Sequence, residues 1–480
     1  MAADILVKNA FVLTMQGEGV GMIEDGAVAI ESNEIVAVGK THQVESEAGK
    51  ADRVFDARKK AVLPGFIDGH IHTGGTLLRG ECQDVPEIEW MLKTVAPFSP
   101  HQTRELRLKG SRLGVLEALK SGTTCFGELS GDAYFLAEEL YSKIGVRANL
   151  GSVVNEIGPG SRRSAFEPYQ LFPDIGERKL KENLNLIDKW DGGAEGRINC
   201  MLGPHALDML SEELLMRMKE IAEERNLVMH MHVAQGGRES IQIKLRYGTT
   251  STVNVLDEMG FLDHRVLAAH CHHTQEDEVR VLAERGVKYV SCQCSIGIID
   301  GMTPPLHLYI DSGGSAAALG TDQANGNNCH NLLTEMKVAA LLNKTRHRDP
   351  TVLPAWKMLR LATIEGATAI GLGDQIGSLE PGKKADLIII DLQRPHLTPI
   401  ISTPVRNIAP NIVYSARGDE VETVIIDGNV VVEDGIAITM NEEEIMAEAQ
   451  KAAEVVTSAA VEDFFKAGSK LAEDVKKGLL

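Results

Sequence analysis

Two histidines one residue apart, His70 and His72, close the run Val62-Leu63-Pro64-Gly65-Phe66-Ile67-Asp68-Gly69. Side chains at i and i+2 of a strand share a face, so both imidazoles point the same way and can share a divalent ion. Three more apolar runs end on residues of the same chemical kind: Val228-Met229-His230-Met231 on His232, Leu267-Ala268-Ala269 on His270, and Leu319-Gly320-Thr321 on Asp322. An isolated His-x-His pair arises readily by chance as two solvated loop residues. Histidine and aspartate are poor fillers for the ends of apolar strands, and their recurrence at four such ends points to a catalytic metal centre. Three imidazoles and a carboxylate leave room for water, which marks a catalytic site rather than a closed structural one.

Residues spread this far apart meet only if their strands end together. Short apolar runs at 61–67, 123–126, 148–154, 198–202, 227–232, 266–270, 287–290 and 316–319 alternate with helical periodicity at 103–120, 211–225, 275–285 and 332–343. This alternation predicts an α/β fold, a (β/α)8 TIM-like barrel over 61–372, whose active sites lie at the C-terminal ends of the strands. Strand patterns at 1–60 and 373–440 predict one small β-domain built from both ends of the chain. Residues 441–480, rich in Ala, Glu and Lys, read as C-terminal helices. An apolar stripe there, with Ile445, Met446, Val455 and Val456, is the basis for expecting a homo-oligomer, the other reading being that these helices pack on their own barrel.

Composition narrows the function. A net charge of -19 excludes a broad basic surface for nucleic acid. No apolar run is long enough to span a bilayer, and the N-terminus lacks a basic-then-apolar leader, so neither membrane nor secretion is expected. Seven scattered cysteines fit a reducing cytoplasm better than a disulfide framework. No Gly-rich nucleotide loop is present.

These residues give the chain a resemblance to the amidohydrolase superfamily. It is carried by Pro64-Gly65-Phe66-Ile67-Asp68-Gly69-His70-Ile71-His72, His230-Met231-His232, Ala269-His270-Cys271, Gly320-Thr321-Asp322 and the return segment Ile376-Gly377-Ser378-Leu379-Glu380-Pro381-Gly382-Lys383-Lys384-Ala385-Asp386-Leu387. It covers nearly the whole chain and points to the branch holding s-triazine hydrolases, atrazine chlorohydrolases and methylthioadenosine/S-adenosylhomocysteine deaminases. The resemblance implies that His70, His72, His232 and Asp322 bind one metal ion, Zn2+ or Fe2+, and that the terminal β-regions form a small β-sandwich. It makes His270 the group that holds the attacking water or the developing charge. Asp322 doubles as the base. The resemblance puts His205 and Trp90 at substrate-contact positions, a loop-capping role being the other reading of His205. Two-metal members usually place a carboxylated Lys on strand four; the segment Ile198-Asn199-Cys200-Met201-Leu202 has none, which favours a single ion.

The chain departs from the family pattern where proton transfer is expected. The deaminases carry a Glu three residues after the strand-five histidine; here that residue is Gln235, which cannot deliver a proton near neutral pH. Glu239, four residues on, is the candidate substitute. Ala96-Pro97-Phe98-Ser99 also lacks the acid that nucleoside deaminases use on the ribose. The expected activity is therefore that of a metal-dependent aminohydrolase: hydroxide attacks an sp2 carbon of a nitrogen heterocycle or amidine, Gln235 orients it, and ammonia or an amine leaves. Displacement of another leaving group such as halide, and a non-catalytic barrel kept for binding, are the competing readings.

Overall fold

The computed structural model describes residues 3–158, 161 and 164–480. Met1 and Ala2, at the head of the segment read as leaderless, lie outside them. Eight parallel strands form a single sheet: β1 (Phe66–Ile71), β2 (Thr123–Ser130), β3 (Arg147–Val154), β4 (Ile198–Pro204), β5 (Met229–Val233), β6 (Val266–His270), β7 (Lys288–Ser291) and β8 (Ala317–Leu319). The sheet closes just beyond β8. The Asp322 N–H donates to the His70 carbonyl at 2.9 Å, and the His72 N–H donates to the Asp322 carbonyl at 3.0 Å. Closure requires glycine, because a Cβ on Gly320 would lie 2.8 Å from the His70 carbonyl oxygen. The fold is the expected TIM-like barrel.

The expected helices are present, and their starts follow capping chemistry. Thr103 accepts from the Leu106 N–H to begin Arg104–Lys120, and Ser211 accepts from the Leu214 N–H to begin Glu212–Arg225. Gln275 and Glu278 form a capping box at the head of Glu276–Glu284.

One expected strand is divided. Within 61–67, Lys60–Pro64 belongs to a separate mixed sheet and Phe66–Ile71 begins the barrel. The chain crosses between sheets at Gly65, where a Cβ would come within 2.1 Å of the Thr124 side chain. The separate sheet has nine strands from both ends of the chain, hydrogen-bonded into one unit. Its seam pairs Lys60–Pro64 antiparallel with Leu387–Asp391.

Arg147, at the start of β3, ties this sheet to the barrel. Its guanidinium donates to both oxygens of Asp386, at 2.7 and 3.0 Å, and to Asp427 at 3.2 Å; all three side chains are buried. Removing one partner of a buried ion pair strands the other charge, at a cost of about 3–5 kcal/mol. Arg147→Met should therefore lower unfolding stability by about that amount in a denaturant titration. Metal content of the folded variant should stay unchanged, because Arg147 lies at the opposite end of β3 from the histidines.

The C-terminal helix Glu442–Ala467 packs on its own chain through Ala449, Ala452, Val456, Ala460 and Phe464, against Leu77, Leu78, Trp90 and Phe98. Ile445 and Val456 of the expected partner-seeking stripe are thus covered, while Met446 and Val455 remain exposed. No helix among the described residues is long and apolar enough to cross a membrane.

Candidate metal centre and active site

The strand ends bring the five chemistry-bearing residues together. His70 Nε2 lies 3.7 Å and His72 Nε2 3.6 Å from Asp322 Oδ1, and the His72 and His232 Nε2 atoms are 3.3 Å apart. The His70 and His270 rings are 5.1 Å apart, and His270 stacks on His232 at 5.3 Å.

Three imidazoles are oriented by what their Nδ1 atoms touch. His72 Nδ1 donates to the Leu129 carbonyl at 2.5 Å, and His232 Nδ1 donates to the His205 carbonyl at 3.0 Å. His70 Nδ1 meets His230 Nε2 at 2.8 Å. With the proton on Nδ1, each ring turns a lone pair on Nε2 toward the others, the arrangement a metal ligand requires. Burial, with the neighbouring imidazoles adding to it, holds His70, His230 and His270 well below the usual histidine pKa, and holds His232 at about 3. Neutral imidazole is the form that binds metal. Burial raises the Asp322 carboxyl, while His72 and the Ser295 hydroxyl, which donates to Oδ2 at 2.6 Å, favour its charged form.

The residues fit a divalent ion on a direct observation. His70 Nε2 and Asp322 Oδ1 are buried, converge on one another and have no hydrogen-bond partner in the protein. Buried polar atoms without partners are costly, so a ligand at that point answers a real deficit. His70, His232 and His270 also place ligand atoms within 4.8 Å of one another, so geometry alone leaves His270 close enough to be a ligand.

A cavity of about 530 Å³ opens above this cluster. His205, Trp90 and Gln235 lie in its wall. The Asn155 side-chain amide donates to His205 Nδ1 at 2.8 Å, which places the His205 ring proton on Nε2. Trp90 Nε1 donates to the Asn325 carbonyl at 3.1 Å. Gln235 Nε2 is buried and has no protein partner.

Glu239 is placed differently. It is fully buried outside the cavity lining and braces the loop after β5, accepting from the backbone N–H groups of Ala234 (3.2 Å) and Gln235 (2.8 Å) and from the Thr252 hydroxyl (2.7 Å). Burial raises its pKa to about 7. Glu239 is expected at the substrate; in the structure its oxygens are turned inward on these three donors.

Several functional neighbours escaped the sequence reading. Glu128, near the end of β2, accepts from the Thr73 hydroxyl at 2.7 Å and the Tyr141 hydroxyl at 3.0 Å and lines the cavity. It obeys the rule that exposed the histidines, a charged residue ending an apolar strand, but the expected strand stopped at 126. His230 and Ser295 meet the site through hydrogen bonds to His70 and Asp322, and nothing in local pattern marks such contacts. Cys292, Gln293 and Cys294 lie outside the cavity lining. Glu335 binds the Gln293 and Cys294 N–H groups, and burial drives the Cys292 and Cys294 thiols far up.

Known proteins agree with this geometry. The profile of the amidohydrolase family matches residues 61–431. The chain is 38% identical over 456 residues to a 5'-deoxyadenosine deaminase of Methanosarcina mazei, covering 94% of this chain and 98% of that one. It is 37% identical over 455 residues to a 5-methylthioadenosine/S-adenosylhomocysteine deaminase of Pelotomaculum thermopropionicum, with 94% and 98% covered. An adenosine deaminase from Xanthomonas campestris with bound zinc superposes with a TM-score of 0.85 at 28% identity, over 95% of this chain and 99% of that one. The chain belongs to the amidohydrolase family, and it is a metal-dependent hydrolase of the aminohydrolase type, acting on C–N bonds other than peptide bonds.

Proposed function

We propose that this hydrolase removes an exocyclic amine from a purine-type nucleoside or base whose reacting ring nitrogen is already protonated when it binds, or whose leaving group needs little protonation. The substrate class follows the names of the two relatives. The restriction follows from one observation: the cavity wall presents a buried, unpartnered Gln235 amide where a proton donor is expected. Its carbonyl oxygen can accept from a ring N–H, but the amide cannot protonate a bare ring nitrogen.

His70, His72, His232 and Asp322 are the proposed ligands of a single ion, zinc or iron(II). A divalent ion held there supplies a nucleophilic water at neutral pH. Asp322 takes the proton of the attacking water and passes it to the leaving nitrogen. His270 carries the charge that develops on the tetrahedral carbon's oxygen. His205 donates from Nε2 toward the ring. Trp90 and Gln235 hold the ring in the plane these groups require. The chain's seven free cysteines support a reducing, cytoplasmic location. Self-association is assigned to the surface around exposed Met446 and Val455, and a monomer mass in light scattering at micromolar concentration removes that assignment.

The test pairs substrates that differ only at the reacting unit. 1-Methyladenosine is cationic on its amidine near pH 7, 6-chloropurine riboside carries an easier leaving group, and adenosine is neutral. Release of ammonia from the first, or chloride from the second, should exceed ammonia release from adenosine. Equal or faster turnover of adenosine overturns the proposal.

A further inference from the structure

A second group of metal-type residues stands at the cavity rim, outside the cluster described above. His272 Nε2 lies 2.9 Å and His273 Nε2 2.7 Å from the same oxygen, Oδ2 of Asp300. Ligand atoms of the three residues fall within 4.8 Å of one another. The two histidines sit on the loop after β6, and Asp300 caps the C-terminus of the helix Gln293–Ile299 after β7. From this geometry we infer that His272, His273 and Asp300 form a second divalent-cation site, weaker than the first and selective for late first-row ions such as Zn2+.

A plain ion pair needs one imidazolium for one carboxylate. Here two consecutive imidazoles turn onto one oxygen, their rings 4.8 Å apart and nearly perpendicular. Consecutive side chains of an extended loop point apart. The convergence follows two successive left-handed residues, His270 (φ 78°) and Cys271 (φ 48°), an uncommon and costly backbone for non-glycine residues. Two imidazoles and a carboxylate are a donor set that zinc and its neighbours accept with positions to spare. The site is reachable: His272 is fully enclosed, but His273 and Asp300 are 23% and 19% exposed, beside a separate cavity of about 390 Å³ that also holds Asp277 and Glu278. His272 and Asp300 also line the main cavity, so an ion held here sits in its wall and pins the loop after β6 to the helix after β7.

The experiment uses the purified holoenzyme with its resident ion, equilibrium-dialysed against micromolar Zn2+ and assayed for metal per chain. The wild type should bind one zinc more than Asp300→Ala or His273→Ala, and both variants should keep the resident ion. Added zinc should raise the melting temperature of the wild type, a shift that both variants lose. Equal zinc counts in the wild type and a folded variant overturn the site. His273, partly exposed, gives the reading if Asp300→Ala fails to fold. Loss of the resident ion in the variants would show that these residues serve the first centre instead.

Discussion

Alanine at His70, His72 or His232 should abolish metal content and turnover together, whereas His270→Ala should keep the metal and lose about 10²–10³-fold in kcat, the usual effect of removing one group that stabilises a developing oxyanion. The division rests on orientation. His72 and His232 are each fixed by Nδ1 on a carbonyl, and His70 by Nδ1 on His230, so that the Nε2 atoms of His70 and His72 face Asp322 and that of His232 faces His72. His270 has no such tether: its Nδ1 is buried without a partner, and its ring lies flat against His232. Elemental analysis of the dialysed variants, with kcat measured on the same samples, checks both halves. A metal-free His270→Ala protein moves His270 into the ligand set, which its proximity to His70 and His232 permits. A His70→Ala protein that keeps a full equivalent of metal and its activity removes the proposed centre.

The barrel and its metal-type residues were legible because each obeys a short-range rule. A strand's two-residue period puts His70 and His72 on one face, and every other member of the cluster ends its own apolar run. What the sequence hid depends on contacts between distant segments. His230 looks like a spare histidine beside His232 until His70, 160 residues earlier, is brought to its Nε2. Glu239 looked free to reach the cavity because the loop Gly236-Gly237 could turn either way. The backbone N–H groups of Ala234 and Gln235 turned it inward instead. The break at Gly65 was invisible because 61–67 is apolar throughout; the close approach of the Thr124 side chain, which leaves no room for a Cβ at 65, exists only in the folded chain. What covers much of the C-terminal helix was hidden for the same reason. Its partner surface, Trp90 and Phe98 among others, belongs to this chain and lies some 350 residues away in sequence.

The native enzyme should turn over 5'-deoxyadenosine, methylthioadenosine and S-adenosylhomocysteine slowly, and Gln235→Glu should keep its metal and gain about 10²–10⁴-fold on them, the typical worth of a positioned acid–base group. An adenine ring nitrogen must take up a proton as water adds to the neighbouring carbon. In the structure the residue facing that task is an amide. The nearest carboxyl along the chain, Glu239, is occupied by three hydrogen-bond donors inside the fold. The substitution leaves the ligands untouched, because position 235 lies in the cavity wall and its backbone N–H already donates to Glu239 at 2.8 Å. The new carboxyl should also leave a signature in pH. As a proton donor it must be protonated, so kcat/KM on neutral adenosines should fall as pH rises through its pKa, a limb absent from the parent profile. Efficient turnover of these nucleosides by the native protein would refute the argument, and it would show that a protein with 38% identity to a 5'-deoxyadenosine deaminase has kept that chemistry with another donor. Glu239 then becomes the residue to test. If Glu239→Gln abolishes turnover while Gln235→Ala is silent, the proton comes from Glu239, whose pKa burial raises, and the loop it braces must open to let it act.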